Sequence, residues 1–257
     1  MEILEDRWLS AIFGHGVFKI DPLVNGYASS VLKDLLSQHA SRQSAAMYYT
    51  KVATDRVDVV RRLNEAEFYV VDVNITLRRD AKCSPVYPSP AVNVSIDEIR
   101  PNQHQAVLDI AETCFQFSRF HLDPFIPKKI ANQIKRDWVL SYLRKQRGDR
   151  LFVALLNEQV VAFLAVLTSE ADGKRIRTID LIGVHRAFQG RGIGQALLEF
   201  FVRRYENQYD LFQAGTQVLN VPSIRLYQKF GFSIASSTYV MHRHVRGNDP
   251  KAESEKT

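Results

Sequence analysis

Val184-His185-Arg186-Ala187-Phe188-Gln189-Gly190-Arg191-Gly192-Ile193-Gly194 decides how this chain is read. An apolar run, Ile179 to Val184, leads into it. A helical pattern leaves it, with Ile193, Leu197, Phe200 and Phe201 on one face. A strand therefore feeds a glycine-dense turn that opens a helix. The first amides of a helix lack partners within it, and the helix dipole makes that end partly positive. Glycines remove Cβ atoms and let backbone N–H groups close on a ligand, a combination suited to phosphate. The stretch is not a Walker loop, because no Lys-Ser/Thr follows the last glycine. It also fails G-x-G-x-x-G, since Gln195 and Leu197 stand where a third glycine is needed. The competing reading is a glycine-rich strand–helix turn that binds nothing.

Working outward, the helix over 191–206 is followed by a second apolar segment, Leu211 to Leu219, then by Asn220-Val221-Pro222-Ser223. A short helix carrying Tyr227 comes next, then Phe230-Gly231-Phe232 and a final strand. Upstream, the patterning predicts strands Arg175–Val184, Val160–Thr168, Leu151–Leu156 and Val92–Ile96, with helices Asn102–Phe117 and Lys128–Lys145. The two middle strands read as a hairpin around Asn157-Glu158-Gln159. A loop from Arg119 to Pro127 joins the helices. Residues 81–91 hold three prolines in six residues and read as a linker. Before it come strand Phe13–Ile20, helix Tyr27–His39, strand Ala45–Val52, helix Asp55–Ala66 and strand Phe68–Leu77. The class is mixed α/β. The polar tail, 246–257, is expected to be disordered.

A faint repeat runs through the chain. Val59 to Phe68 lies over Ser223 to Phe232, a helix-then-strand unit with Phe68 on Phe232. Leu63 or Asn64 stands near the place of Tyr227, and the first copy has no glycine-rich turn. Residues 1–80 thus read either as a truncated, cofactor-less echo of 92–245 or as a chance likeness of two helix–strand units.

The pattern Gln189-x-x-Gly192-x-Gly194 resembles the acyl-CoA pyrophosphate motif of the GNAT superfamily of N-acetyltransferases. So does the order around it: Asn220 seven residues before Tyr227, then Phe230-Gly231-Phe232. The resemblance covers roughly residues 92–245. It implies a GNAT fold, a central twisted mixed sheet flanked by helices, preceded here by a small truncated GNAT-like domain over 1–80. It further implies acetyl-CoA as cosubstrate, with the backbones of Leu181, Ile182 and Val184 beside the pantetheine. The turn Gln189, Gly190, Arg191, Gly192, Ile193 and Gly194 would lie on the pyrophosphate. Asn220 would hydrogen-bond the pantetheine, and Tyr227 would act as general acid. Within the superfamily, Trp8-Leu9-Ser10-Ala11-Ile12-Phe13-Gly14, Ser118-Arg119-Phe120 and Gly215-Thr216-Gln217-Val218 resemble the bacterial acetyltransferases that act on TDP-amino sugars, of the TDP-fucosamine type. That likeness implies a nucleotide-linked (TDP or UDP) deoxyamino sugar as acceptor, and a place in surface-polysaccharide synthesis.

The remaining features bound the alternatives. The chain has 257 residues, 46% hydrophobic and 24% charged, an ordinary globular composition. No apolar run reaches membrane-span length, and the acidic Met1-Glu2-Ile3-Leu4-Glu5-Asp6 lacks a signal-peptide profile, so a cytoplasmic location is expected. Two cysteines make no disulfide framework; Cys114 reads as a small core residue and Cys83 as part of the linker. The formal charge of +6 suits polyanions, CoA or a nucleotide sugar among them. The basic residues are scattered and show no nucleic-acid-binding spacing, so neither nucleic acid nor membrane insertion is expected. Strand edges in the N-terminal part could pair within the chain or in a homodimer.

Acyl transfer to an amine needs an aligned thioester, a proton acceptor for the amine and a proton donor for the thiolate. Tyr227 can be the donor, because a phenol near pKa 10 can protonate a nascent thiolate. Asn220 is also an ordinary helix cap, and a mid-helix tyrosine is also a packing residue. Candidates for the base are His121, Asp123, Asp180 and His185, with a water chain as an alternative. Arg119, His121 and Asp123, in a proline-stiffened loop, read as an acceptor clamp or as a rigid helix–helix connection. His242-x-His244 points two imidazoles to one strand face; no third ligand is evident, and no metal is expected. Beside the sugar acceptor stand two alternatives: a GNAT enzyme with another small amine or a protein as acceptor, and a non-catalytic acyl-CoA-binding module.

Overall fold

The computed structural model describes residues 2–21, 29–43, 45–82 and 92–245. In chain order these form β1 (Ile3–Glu5), α1 (Arg7–Phe13), β2 (Gly16–Ile20), α2 (Ser29–Ala40), β3 (Ala46–Ala53), α3 (Val57–Glu65), β4 (Tyr69–Asp80) and β5 (Ser95–Glu98). There follow α4 (His104–Cys114), α5 (Arg119–Leu122), α6 (Lys128–Leu143), β6 (Arg150–Leu156), β7 (Gln159–Ala171) and β8 (Lys174–Val184). The last elements are α7 (Ile193–Tyr205), β9 (Leu211–Gln217), α8 (Val221–Lys229) and β10 (Ser233–Val245). They divide into two compact units. The first takes Met1–Val73, Leu122–Ile126 and Thr238–Thr257; the second takes Asn74–His121 and Pro127–Ser237.

In the second unit the strands lie in the order β4-β9-β8-β7-β6-β5. All pairs are antiparallel except β8–β9. Strand alternation sorts the core into two faces. Phe152, Ala154, Ala162, Leu164, Val166 and Ile179 meet α7 and α8 through Leu197, Phe201 and Tyr227. Their neighbours Leu151, Val153, Phe163, Ala165 and Leu181 meet α4 and α6 through Val107, Ile110, Ala111 and Val139. This is the mixed α/β arrangement, sheet flanked by helices, expected from the sequence. The β6–β7 hairpin turns on Asn157 and Glu158 (φ 49° and 63°), and the β7–β8 hairpin on Asp172 and Gly173 (φ 52° and 69°). Two consecutive left-handed residues match the twist of the flanking strands.

In the first unit the order is β1-β2-β3-β10, with β2–β3 parallel and the other pairs antiparallel. Leu32 and Leu36 of α2 and Val59 and Leu63 of α3 cover Phe18, Ile20, Tyr48, Val52 and Met241. The opposite face of β10 carries His242 and His244, paired across from Tyr49 and Met47.

The structure departs from the sequence reading at several elements. The strand expected at Phe13–Ile20 is instead Gly16–Ile20, and Phe13 ends helix α1, because Asp6 accepts the Leu9 amide (3.0 Å) and Gly14, at φ 71°, closes the helix onto Ser10. The strand expected at Val92–Ile96 is instead Ser95–Glu98, and the loop after Ser118 contains the helical turn α5. The domain boundary also differs. Expected at 80/92, it falls at Val73/Asn74, because β4 pairs through Asn74–Asp80 with β9 of the second unit. Likewise β10, expected in the domain 92–245, gives Thr238–Val245 to β3 of the first. The readings for 83–91, with Cys83, for the start of helix Tyr27–His39 and for the tail 246–257 lie outside the described residues. No described helix is long and apolar enough to cross a membrane.

The repeat is present in the backbone. Helix α3 and helix α8 each run nine residues and each leads, after three residues, into a long strand. Glu67 (φ 69°) and Gly231 (φ 77°) occupy the same left-handed position. Phe68 and Phe232 are equally buried, and their amides donate to Leu63 and Tyr227 carbonyls (2.9 and 3.1 Å). Leu63, not Asn64, therefore stands in the place of Tyr227.

Candidate active site

Strands β8 and β9 pair only from Ile176↔Leu211 to Ile179↔Ala214, although β8 runs on to Val184 and β9 to Gln217. At the same level the β7–β8 ladder slips: Ala165 faces Leu181 and Val166 faces Ile179, so Asp180 is the extra residue of a bulge. A bulge bends its strand and increases the local twist. Beyond it the β8–β9 ladder stops, and the backbone of Leu181, Ile182 and Val184 borders the opening.

Asp180 is fixed hard. Its carboxylate accepts from Trp138 Nε1 (2.9 Å), Tyr142 Oη (2.8 Å) and Arg147 Nε and Nη2 (2.8 and 3.0 Å). Burial opposes its charge, but the Arg147 hydrogen bonds and charge, with Tyr142 and Trp138, outweigh it and hold the carboxyl below its ordinary value. Asp180 is thus an anchor of α6 on β8, which removes it from the candidate bases. The chain beside it is cut to fit: at Gly148, φ 63°, a Cβ would stand 2.0 Å from the Tyr142 ring.

Past Val184 the chain makes the turn singled out in the sequence. His185 Nδ1 accepts the Ala187 amide (3.2 Å), so this imidazole serves the turn. Gln189 Nε2 donates to the Val184 carbonyl (3.0 Å) and ties the turn to the end of β8. Gly190 (φ 76°) and Gly192 (φ 84°) are left-handed, and Gly192 caps α7 without a side chain. The first-turn amides of α7 are thus left for a ligand. Arg191 lies over the Phe188 ring, 5.3 Å from its centroid, and Ile193 is buried in the core. At Gly194 a Cβ would sit 3.4 Å from Leu226 of α8, an ordinary contact.

Asn220 caps α8. Its Oδ1 accepts the Ser223 amide (3.4 Å) and its Nδ2 donates to Thr216 Oγ1 (3.1 Å). Two turns on, Tyr227 is 3% exposed, its ring 5.5 Å from that of Phe232. Burial alone pushes its phenol well above the usual tyrosine value, so it holds its proton throughout the physiological range.

The three residues read as an acceptor clamp are assigned to different units. Arg119 and His121 belong to the second unit, Asp123 to the first. The Arg119 guanidinium lies 4.5 Å from the Phe120 centroid. His121 binds Ser118 Oγ through Nδ1 (2.6 Å) and Asn132 Oδ1 through Nε2 (3.0 Å), and burial lowers its pKa. Asp123 is 2% exposed and its oxygens accept four hydrogen bonds: from Tyr69, the Phe125 amide, His242 and His244. Burial opposes the charge, yet the imidazole hydrogen bonds outweigh it and hold the carboxyl far below the usual range. Asp123 therefore has no lone pair to offer an acceptor or an amine proton. It is also the group that the sequence did not place beside His242-x-His244.

Sequence reasoning missed Lys135. On α6, 8% exposed, its ammonium lies 4.8 Å from the ring centroids of both Phe115 and Trp138. Burial lowers it to about 8 against the opposing pull of Asp180. Its neighbour Cys114, whose thiol burial pushes up to about 12, packs on β8 where a Cβ at Gly183 would come within 2.8 Å of Sγ. A lysine at a helical i+7 position from Lys128 looks solvated in sequence; only the fold encloses it.

Residues 105–232 match the model of the acetyltransferase (GNAT) family. The chain carries a GNAT acetyltransferase domain. It is 31% identical over 143 residues to the spore coat polysaccharide biosynthesis protein SpsD of Bacillus subtilis, across 55% of this chain and 48% of that protein. The chain thus spans about half the length of that relative. Among solved structures it is similar to a GCN5-related N-acetyltransferase from Sphaerobacter thermophilus (TM-score 0.61, 15% identity, 95% of this chain and 76% of that one). It is also similar to a tandem GNAT protein from the clavulanic acid biosynthesis pathway (TM-score 0.52, 15% identity, 91% and 76%). At these identities the two structures speak for the fold alone. In Gly192→Val a β-branched residue enters a left-handed position at a cost of about 1–2 kcal/mol and crowds the amides. We expect CoA affinity, by calorimetric titration, to fall at least about tenfold, with far-UV dichroism unchanged.

Proposed function

We propose that the chain is an acyl-CoA-dependent N-acetyltransferase that moves acetyl from acetyl-CoA to the amine of a nucleotide-linked deoxyamino sugar, in a ternary complex and without a covalent enzyme intermediate. The observation that carries the transfer chemistry is the parting of β8 and β9 beyond the Asp180 bulge, followed at once by the Gly190–Gly192 turn. The turn from Gln189 to Gly194 would take the pyrophosphate. The backbones of Leu181, Ile182 and Val184 would align the pantetheine arm and offer an amide to the carbonyl oxygen as charge develops there. Asn220 would bind the pantetheine with whatever capacity its capping role leaves. As the amine nitrogen bonds to the acyl carbon, the carbon–sulfur bond breaks and Tyr227 protonates the departing sulfur.

For the proton leaving the amine we assign Lys135. It sits on the helix that Asp180 fastens to β8, and a lysine lowered to about 8 is partly neutral at working pH. Arg119, through its guanidinium, and His121 remain the acceptor-side candidates of this unit. A sugar acceptor is supported by the likeness to a relative named for spore coat polysaccharide biosynthesis. It is supported also by the sequence likeness at Ser118-Arg119-Phe120. The other reading, a different small amine, draws on a second relative at 31% identity over 104 residues, N-acetylaspartate synthetase of Danio rerio.

The test is ligand stabilisation followed by product analysis. Acetyl-CoA should raise the melting temperature saturably, and TDP or UDP should raise it further. A stabilising acetyl-CoA with no nucleotide effect moves the acceptor to the second reading. Tyr227→Phe should lower kcat by about 10²–10⁴-fold while leaving CoA affinity intact. For Lys135 the sign is fixed by its role as acceptor: kcat/KM should rise with pH and level off above about 8. In Lys135→Met that limb should disappear, read from pH–rate profiles of the folded variant.

A further inference from the structure

We propose that Asp123, His242 and His244 form a binding site for one divalent metal ion of the zinc class, which fastens the segment 122–126 to β10 within the first unit. None of these residues takes part in the transfer chemistry proposed above, and the site does not depend on that reading.

The geometry starts from strand alternation. His242 and His244 are two residues apart on β10, so both imidazoles face the side of the sheet away from α2 and α3. The turn 122–126 brings Asp123 between them from 119 residues away. Its Oδ2 lies 2.6 Å from His242 Nδ1 and 2.9 Å from His244 Nε2, and the three donor atoms all lie within 4.8 Å of one another. With metal–ligand bonds of about 2.0–2.1 Å, tetrahedral ligands stand about 3.3 Å apart. The two oxygen–nitrogen distances would lengthen by about 0.7 and 0.4 Å as the Asp123 carboxylate rotates, and the two imidazole nitrogens would turn toward each other to share the ion.

The surroundings resemble the outer shell of a metal site. The other carboxylate oxygen, Oδ1, accepts from Tyr69 Oη and the Phe125 amide, both at 2.9 Å, so Oδ2 is the oxygen turned to the imidazoles. Partners of this kind orient ligands and tune them. The Tyr69 ring stacks near His244 at 6.4 Å and the Phe125 ring stands 5.5 Å from it, which restricts the imidazole to one orientation. The side chains of Asp123 and His242 are fully buried, while that of His244 is 14% exposed. Access is therefore past His244, where a water can complete four-coordination.

The donor set selects the ion. Two imidazoles and one carboxylate suit zinc and its neighbours, whereas magnesium and calcium prefer oxygen alone. In the metal-free protein the two imidazoles donate N–H to Asp123. On binding, each presents that nitrogen's lone pair instead and carries its proton on the other ring nitrogen, so a neutral ring need release none.

The experiment uses the full, untagged chain, stripped with EDTA and then dialysed against zinc chloride. About one zinc per chain should bind, with a saturable rise in melting temperature. Cobalt(II) should give the intense visible bands of a tetrahedral site. His244→Ala, at the partly exposed position, should lose at least tenfold in zinc affinity while binding CoA as the parent does. Asp123→Asn should lose it too; if that variant fails to fold, His244→Ala decides. Absence of bound zinc and of cobalt bands in the parent chain overturns the proposal. So does zinc affinity unchanged in folded His244→Ala, because the ion then lies elsewhere.

Discussion

The second unit depends on the hold that α6 has on Asp180. A bulge by itself gives a strand freedom to bend in more than one way. Here four donors from Trp138, Tyr142 and Arg147 converge on the bulged residue's carboxylate, so the bend has a single direction. Isolated surface ion pairs contribute little, but this carboxylate is largely enclosed and every donor to it comes from α6 or the loop that follows. The opening between β8 and β9, the exit of Val184 into the glycine turn and the seat of α7 all follow from where β8 is pinned. Gly148 belongs to the same device, since its missing Cβ leaves the Tyr142 ring room to reach across.

The two helix–strand repeats make the contrast between the units concrete. Both halves keep the left-handed residue, the buried phenylalanine and the same backbone hydrogen bond into the preceding helix. They differ at one buried position and in the turn before the helix. Leu63, fully buried, stands in the place of Tyr227, and no glycine turn precedes α3. A leucine supplies packing at that position and no proton. The two helix–strand units keep the same geometry, while the buried phenol stands in only one of them.

The features legible in the sequence were local ones. The glycine turn, the N-cap at Asn220, the hairpin at Asn157-Glu158 and the apolar alternation of β6 to β8 each depend on residues within a few positions of one another. Helix α1 was legible too, in Asp6 and Gly14 at its ends, but its apolar residues beside β2 masked those caps. What could not be read depends on closure over long distances. Asp180 needs Trp138, 42 residues away, and His242 needs Asp123, 119 residues away. Lys135 differs from its solvated neighbours Lys128 and Lys129 only in what folds over it. The domain boundary failed for the same reason, since strand pairing partners are set by the whole chain.

The exchange of strands has a bearing on how the chain folds as it is made. The first unit contains β1, β2 and β3 from the beginning of the chain, but the strand that covers β3 is β10. Synthesis proceeds from the N-terminus, and a contiguous domain can close as it emerges. Here β3 keeps an unpaired edge through more than 180 further residues of elongation, counted from Ala53 to Thr238. The early strands of the first unit wait on β10, exposed during that interval to whatever else can add to a sheet edge.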